Sequence, residues 1–277
     1  MLPRLAVLLF AWSSVAFGGE FDAKHLGFSG IPIQGNEELL KKLGFAKLPA
    51  KKGILVTVVN PGTATAAGGL LPMAIVTMVN KKPVANADDV AEVLEPLELG
   101  TDTTITGYSL RNNVWKSGTV KTKVSDRVSV LIASMEKDVD NIEGVTTFQH
   151  KFIAKDQLKR LRYFVVARDG QRPELRMEVL YIAEDWLFVN SITAANEGRK
   201  VTIPLKPFGG ENKVEPGFIV ERHWASVTPE FSELTKDIDC TIRFDGKTRR
   251  YDHEQTVTEY WINRDVQDFY RMLTTAP

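Results

Sequence analysis

"NPGTATAAGGLLPMAIVTMVNKKPV", residues 60–84, sets small residues between two apolar runs and closes on a lysine-proline turn. Pro61 and Gly62 make a turn, and the small residues from Thr63 to Gly69 suit one short helix. The apolar strand 72–80 follows. "KKPV" (81–84) is then a tight turn into a short extended piece, because proline fixes its own φ and pushes the residue before it toward extended geometry. Upstream, "GILVTVV" (53–59) is a buried strand rich in β-branched residues. Downstream, "NADDVAEVLEPL" (86–97) reads as a helix. Asn86 can cap it, Asp88 and Asp89 favour its positive end, and Val90, Val93, Leu94 and Leu97 recur at helical spacing. Pro96 and Gly100 end it, and residues 102–124 form a hairpin that turns at Asn112-Asn113.

This order of strand, short helix, strand, capped helix and hairpin resembles the PDZ domain, in the variant found in bacterial periplasmic serine proteases, over about residues 24–124. The quoted stretch carries the resemblance without a gap: Pro-Gly, small residues, Gly-Leu, Pro, an apolar strand, Val-Asn and Lys-Pro-Val. It departs at Met73-Ala74, where the family usually has Gly-Asp, so a reshaped turn is expected there. The resemblance implies a partly open β-barrel or sandwich with two helices, within an α+β, mainly β chain. It also gives meaning to "AKHLGFSGI" (23–31), which stands where the family has its carboxylate-binding loop. A Leu-Gly-Phe turn alone reads as structural. In this setting the N–H groups of Leu26, Gly27 and Phe28 would form a nest for a peptide's terminal carboxylate. Glycine in the middle permits the backbone angles and the close approach. Residues 28–31, with Phe28, Ser29 and Gly30, would be an edge strand to which a guest peptide adds itself, and the helix after Asn86 would be the opposite wall. The family's spacing puts Ala87, Ala91 and Leu94 on the groove side and Val90, Val93 and Leu97 in the core. Gly30 replaces a large aliphatic residue and is expected to enlarge the pocket, while Ala87 offers no hydrogen bond to a guest Ser or Thr. Apolar C-terminal residues are therefore the expected guests.

The chain has 277 residues, 43% of them hydrophobic, enough for two mid-sized cores. Residues 1–18, with Arg4 ahead of an apolar run and small residues at Ala16 and Gly18, read as a signal peptide, so the expected location is periplasmic or secreted. That run is too short to span a bilayer comfortably, and no stable transmembrane anchor is expected. Cys240 is the only cysteine, so no internal disulfide can form, and its strand-like setting reads as a buried inert thiol. Residues 22–124 hold 12 Lys+Arg against 9 Asp+Glu, and residues 125–277 hold 22 against 25. Neither half has the basic excess that phosphate-backbone binding needs, which argues against nucleic acid. The residues 22–124 and 125–277 are the two expected domains, joined by a short link near Lys123 to Arg127.

In the second of these, residues 128–133, 145–152, 162–168, 175–182 and 186–192 read as strands, with hairpin turns at Asp169-Gly170 and Asp245-Gly246. Thr228 with Pro229 starts a short helix, and residues 255–273 form an amphipathic one with Val257, Tyr260, Trp261, Val266, Phe269, Tyr270 and Leu273 largely on one face. A curved antiparallel sheet with packed helices is expected. The stretches "LRMEVLYIAEDWLFVNSI" and "IRFDGKTRRYD" resemble a β-rich domain of unknown role in exported bacterial proteins. No Gly-x-Ser-x-Gly elbow is present. Asp252-His253-Glu254 reads as a solvated turn, because adjacent strand residues point to opposite faces, and His150 and His223 read as surface or satisfied histidines. No cofactor and no metal are implied. The expected function is capture of C-termini or extended segments of other envelope proteins without catalysis. The alternative is a hydrolase whose active site lies in residues 125–277 and whose first domain recruits substrate.

Overall fold

The strands expected between Gly53 and Val124 pair into one antiparallel sheet in a computed structural model that describes residues 23–42, 47–112, 114–140, 142–152, 158–208, 212–247 and 249–275. The leader, Asn113 and the final Ala276-Pro277 lie outside the described residues. In chain order, β1 (Lys24–His25) and β2 (Phe28–Pro32) lead to helix α1 (Glu37–Lys42), β3 (Ile54–Val59), helix α2 (Ala64–Ala67), β4 (Ile75–Val79) and β5 (Lys82–Pro83). Helix α3 (Ala87–Leu94), β6 (Asp102–Arg111) and β7 (Val114–Lys123) complete this part. The sheet runs β2-β3-β4-β6-β7, with β5 paired to β4.

β3 is an unbroken apolar run because both its faces are covered. Ile54 and Val56 join Leu26, Phe28, Val93 and Leu94 on one side, and Leu55 joins Ile31, Leu40 and Ile75 on the other. Asn80 and Lys81 both take positive φ (48° and 64°), the two-residue turn whose twist suits a hairpin, and fold β5 onto β4. Met73 has φ 68°, so a sharp turn follows Pro72 without a glycine. Its amide donates to Val56 O at 2.8 Å, and Val56 N donates to Ala74 O at 2.8 Å, which holds methionine in a conformation that costs an L-residue energy.

The second part runs β8 (Ser125–Asp126), helix α4 (Arg127–Ser134), β9 (Met135–Asp140), β10 (Val145–His150), β11 (Lys159–Arg168) and β12 (Glu174–Ala183). After these come β13 (Val189–Asn196), β14 (Arg199–Pro204), β15 (Lys206–Pro207), β16 (Lys213–Glu215), β17 (Phe218–Ser226) and helix α5 (Pro229–Leu234). β18 (Thr241–Gly246), β19 (Arg250–His253) and helix α6 (Val257–Thr275) end the chain's described part. The strands divide into two antiparallel sheets rather than the single curved sheet expected from sequence. One is β15-β17-β12-β11-β10-β9 with β16 on β17, the other β14-β13-β18-β19. The split falls after β12, where Phe188 at φ 53° turns the chain out of the first sheet, so the strand expected from Trp186 begins only at Val189. Both sheets share one core with α6, in which Tyr163, Met177, Phe231, Phe244, Val266 and Phe269 are buried.

Residues 128–133, expected as a strand, lie in α4. Their β-branched content misleads; the cap decides, with Asp126 accepting the Ser129 amide at 2.6 Å while Val130, Leu131 and Ser134 turn inward. Thr228 caps α5 as expected, accepting the Phe231 amide at 3.3 Å. Helix α6 buries polar as well as apolar side chains. Leu161 N donates to Glu259 at 2.6 Å, Tyr163 N donates to Asn263 at 2.9 Å, and Asn263 donates to Leu161 O at 2.9 Å. β10 pairs with β11 only from Phe164 onward, so these helix side chains take the place of a missing strand. Among the described residues no helix is long and apolar enough to cross a membrane.

Candidate functional site

The turn at residues 26–28 is fastened to the loop that begins at Asn60. Gly27 has φ 76°, and a Cβ there would lie 2.7 Å from the Thr63 side chain, so glycine is required twice over. Asn60 N donates to Gly27 O at 2.8 Å, and the Thr65 hydroxyl donates to Leu26 O. The Thr63 hydroxyl donates to Asn60 O at 2.7 Å and accepts from Ala66 N, capping α2. Of the three amides expected to form a nest, that of Gly27 already has an acceptor inside the chain: it donates to His25 Nδ1 at 2.8 Å.

β2 is the terminal strand of its sheet, bonded to β3 on one side only among the described residues. Phe28 stands opposite Val59, between the Gly27–Asn60 contact and the Ser29–Val58 pair. Since an antiparallel ladder alternates bonded and non-bonded pairs, the N–H and C=O of Phe28 point away from β3 toward the uncovered side. A bulge follows between Ser29 and Gly30, and Ser29 O accepts from the Thr57 hydroxyl at 3.1 Å. Gly30 does not enlarge a pocket. A Cβ there would come 2.4 Å from Leu55 O and 2.7 Å from Ile54 Cγ2, so the missing side chain faces the backbone of β3 and lets the two strands approach.

Helix α3 forms where expected. Asn86 accepts the Asp89 amide at 2.9 Å, and Asp89 accepts the Asn86 amide at 3.2 Å, a reciprocal cap. Ala87 is exposed and Ala91 half-buried. Leu94 is 1% exposed and belongs to the same apolar cluster as Leu26, Phe28 and Val93, so it forms floor rather than open wall. The end of the helix meets β1, where Lys24 Nζ donates to Glu95 O at 2.5 Å. A shallow depression of about 480 Å³ lies elsewhere, between Lys52, Thr77, Pro83, Asp89 and Tyr108.

Behind the turn is a buried charged cluster that hydrophobic periodicity does not reveal. Asp265, on α6 and 1% exposed, takes Arg127 at 2.6 Å and the Asn60 side-chain amide at 2.6 Å. Arg127 also reaches Asp268 at 2.9 Å, and His150 Nε2 stands 3.4 Å from Asp265. Burial opposes ionisation of Asp265, but Arg127 and then His150 prevail and hold its carboxyl well below the usual range. Burial, assisted by Arg127 and opposed by Asp265, pushes the half-buried His25 imidazole down to about 4. Asn60 thus holds Gly27 with its backbone and Asp265 with its side chain. Ser134, His150 and Asp265 are residue types a hydrolase uses, yet Ser134 Oγ donates to Val130 O at 2.7 Å and accepts from Asn60 at 3.1 Å. His150 Nδ1 accepts from Phe152 N at 3.1 Å, so among the described residues no nucleophile-to-base hydrogen bond joins the pair.

The remaining histidines are buried, against the expectation of a solvated turn for Asp252-His253-Glu254. His253 Nε2 lies 2.9 Å from Glu259, and His223 Nε2 lies 3.7 Å from Glu221. A true carboxylate nest exists, but in the second part. Three consecutive amides, of Leu187, Phe188 and Val189, donate to Glu221 at 2.6, 3.0 and 2.8 Å. No group of three or more His, Cys, Asp or Glu among the described residues could hold a metal ion. Cys240 is buried, and burial pushes its thiol up to about 11. No protein-family model and no curated protein matches the chain.

Proposed function

We propose that the protein is an exported, non-enzymatic binding protein that takes up an extended segment of another protein by strand addition along β2. The observation that carries this reading is the outward direction of the Phe28 N–H and C=O on a strand with no second neighbour among the described residues. Side chains of α6 cover the comparable unpaired stretch of β11, whereas among the described residues no strand pairs with the far side of β2. The PDZ-like order of elements and the leader supply the rest of the reading. The backbone of Leu26 to Gly30 meets the guest, with Ala87 and Ala91 beside it and Leu94 beneath. A terminal carboxylate binds by displacing the His25 ring from the Gly27 amide.

Titration with peptides ending in Val, Leu or Phe, as free acids and as C-terminal amides, tests both levels. Free acids are expected to bind more tightly. Equal affinities remove the carboxylate step and keep strand addition. Guests N-methylated at alternate backbone positions are expected not to bind, and undiminished binding by them overturns strand addition itself.

A further inference from the structure

Gly27 N donates to His25 Nδ1 at 2.8 Å, so that nitrogen is bare and the hydrogen of the neutral ring sits on Nε2. An imidazolium carries hydrogen on both nitrogens and cannot accept this bond. Protonation of His25 therefore requires the contact to break, and so does a guest carboxylate that claims the same amide. The charged groups around the ring are already engaged. β8, α3 and α4 pack against β1. From α4 comes Arg127, and behind it Asp265 of α6, whose Oδ1 holds Arg127 at 2.6 Å and whose Oδ2 takes Asn60 at 2.6 Å with His150 Nε2 of β10 at 3.4 Å. Asp268 takes Arg127 at 2.9 Å. From β8, Asp126 accepts the amide and the hydroxyl of Ser129 at 2.6 and 2.7 Å, and from α3 the carbonyl of Glu95 takes Lys24. Burial and then Arg127, opposed by Asp265, lower the protonation of the ring to about 4. A guest carboxylate brings the anion that an imidazolium at this place lacks.

We propose that His25 makes guest capture proton-linked: a peptide's terminal carboxylate takes the Gly27 amide, the freed Nδ1 takes a proton from solvent, and the imidazolium then stands beside the carboxylate as its counter-ion. This rests on the reading of residues 26–28 as a carboxylate site. Both events favour the same open arrangement of the turn, so each strengthens the other by the same factor. In the closed turn the ring protonates only near 4, and once detached it returns to its ordinary 6.5 or above. Affinity for a free acid therefore rises as pH falls from about 6.5 toward 4, and the gain is gone above that window. A C-terminal amide brings no anion and leaves the Gly27–His25 contact in place, so its binding does not follow pH.

Calorimetric titration of the full chain with a peptide ending in Val, as free acid and as C-terminal amide, counts the protons when it is run at pH 5.5 in buffers of different ionisation enthalpy. About one proton is expected to be taken up per acid bound and none per amide, with the acid bound about tenfold more tightly at pH 5 than at pH 7. His25→Asn places a non-titrating acceptor where Nδ1 lies, and is expected to bind the acid without proton uptake and with equal affinity at both pH values. In the parent, the ring resonances of His25 followed by NMR are expected to titrate at higher pH with the acid present than without it, a reading that does not depend on the variant folding. Acid binding without proton uptake, or uptake that persists in folded His25→Asn, overturns the proton link and leaves strand addition standing. No binding of either peptide overturns strand addition and the link together.

Discussion

Two of the turns that aim backbone amides at a side-chain acceptor, at residues 187–189 and 26–28, differ in what the acceptor is. At residues 187–189 three amides grip the Glu221 carboxylate, deep in the second part and charge-assisted throughout. At residues 26–28 a single amide, that of Gly27, meets a neutral imidazole. Hydrogen bonds to an ionised group contribute about 1.5–3 kcal/mol and neutral ones about 1 kcal/mol. The first turn is therefore a closed structural joint, and the second is one whose occupant a stronger acceptor can replace. A nest is recognised by its amides, but its role is set by whether the chain has already filled it with charge.

Removing Glu221 gives the sharpest test of that contrast. Glu221→Ala leaves three amides without an acceptor and is expected to cost about 3–5 kcal/mol in urea unfolding, with peptide affinity per folded molecule unchanged. A cost under about 1 kcal/mol removes the distinction between the turns. Gly27→Val comes next, since it forces a β-branched residue to positive φ and into Thr63. It should destabilise by about 2–3 kcal/mol and abolish peptide binding in the fraction that folds. Retention of full affinity contradicts the site.

His25 supplies the third test. Its ring titrates near 4 in the folded chain and near 6.5 when exposed. Between those values the unfolded chain holds the extra proton, so stability rises with pH across the window. The contribution is complete above 6.5 and lost as pH falls to about 4. For a half-buried ring it amounts to about 1–2 kcal/mol, and urea unfolding of parent and His25→Leu at pH 4 to 7 reads it as a difference in slope. The same variant is expected to bind peptide acids several-fold more tightly and peptide amides unchanged, because the resident acceptor is gone. The smallest effect is at Met73: Met73→Gly relieves the positive φ and should raise stability by up to about 1 kcal/mol, read from the urea midpoint.

Much of the first part was legible in the sequence, because its signals are local. The apolar run of β3, the Asn86 cap with its carboxylates and the lysine-proline turn each report on their own few residues. The 128–133 segment was misread since its β-branched content outweighs a single capping aspartate, and Phe188 gave no glycine to mark where the second sheet begins. The Gly27 conformation could be anticipated, as only glycine fits. The partner of its amide could not, because His25 reaches it through a side-chain rotamer. Gly30 misled because a missing side chain says nothing about which way it would have pointed. On α6, Glu259 and Asn263 are four apart and share a stripe with Ile262 and Val266, so polar residues on an otherwise apolar face were the available signal.

Asn60 has a practical consequence for anyone dissecting this molecule by excision. With its main chain on Gly27 and its carboxamide on Asp265, and with Lys24-His25 paired to Ser125-Asp126, severing the polypeptide at Val124 strips support from both resulting pieces. The amino-terminal fragment would lose the strut that steadies its glycine bend, and the carboxy-terminal fragment would keep Asp265 with Arg127 and His150 but without the Asn60 carboxamide. Affinity assays on an isolated half would therefore report on a loosened relic, and intact protein is the reagent of choice.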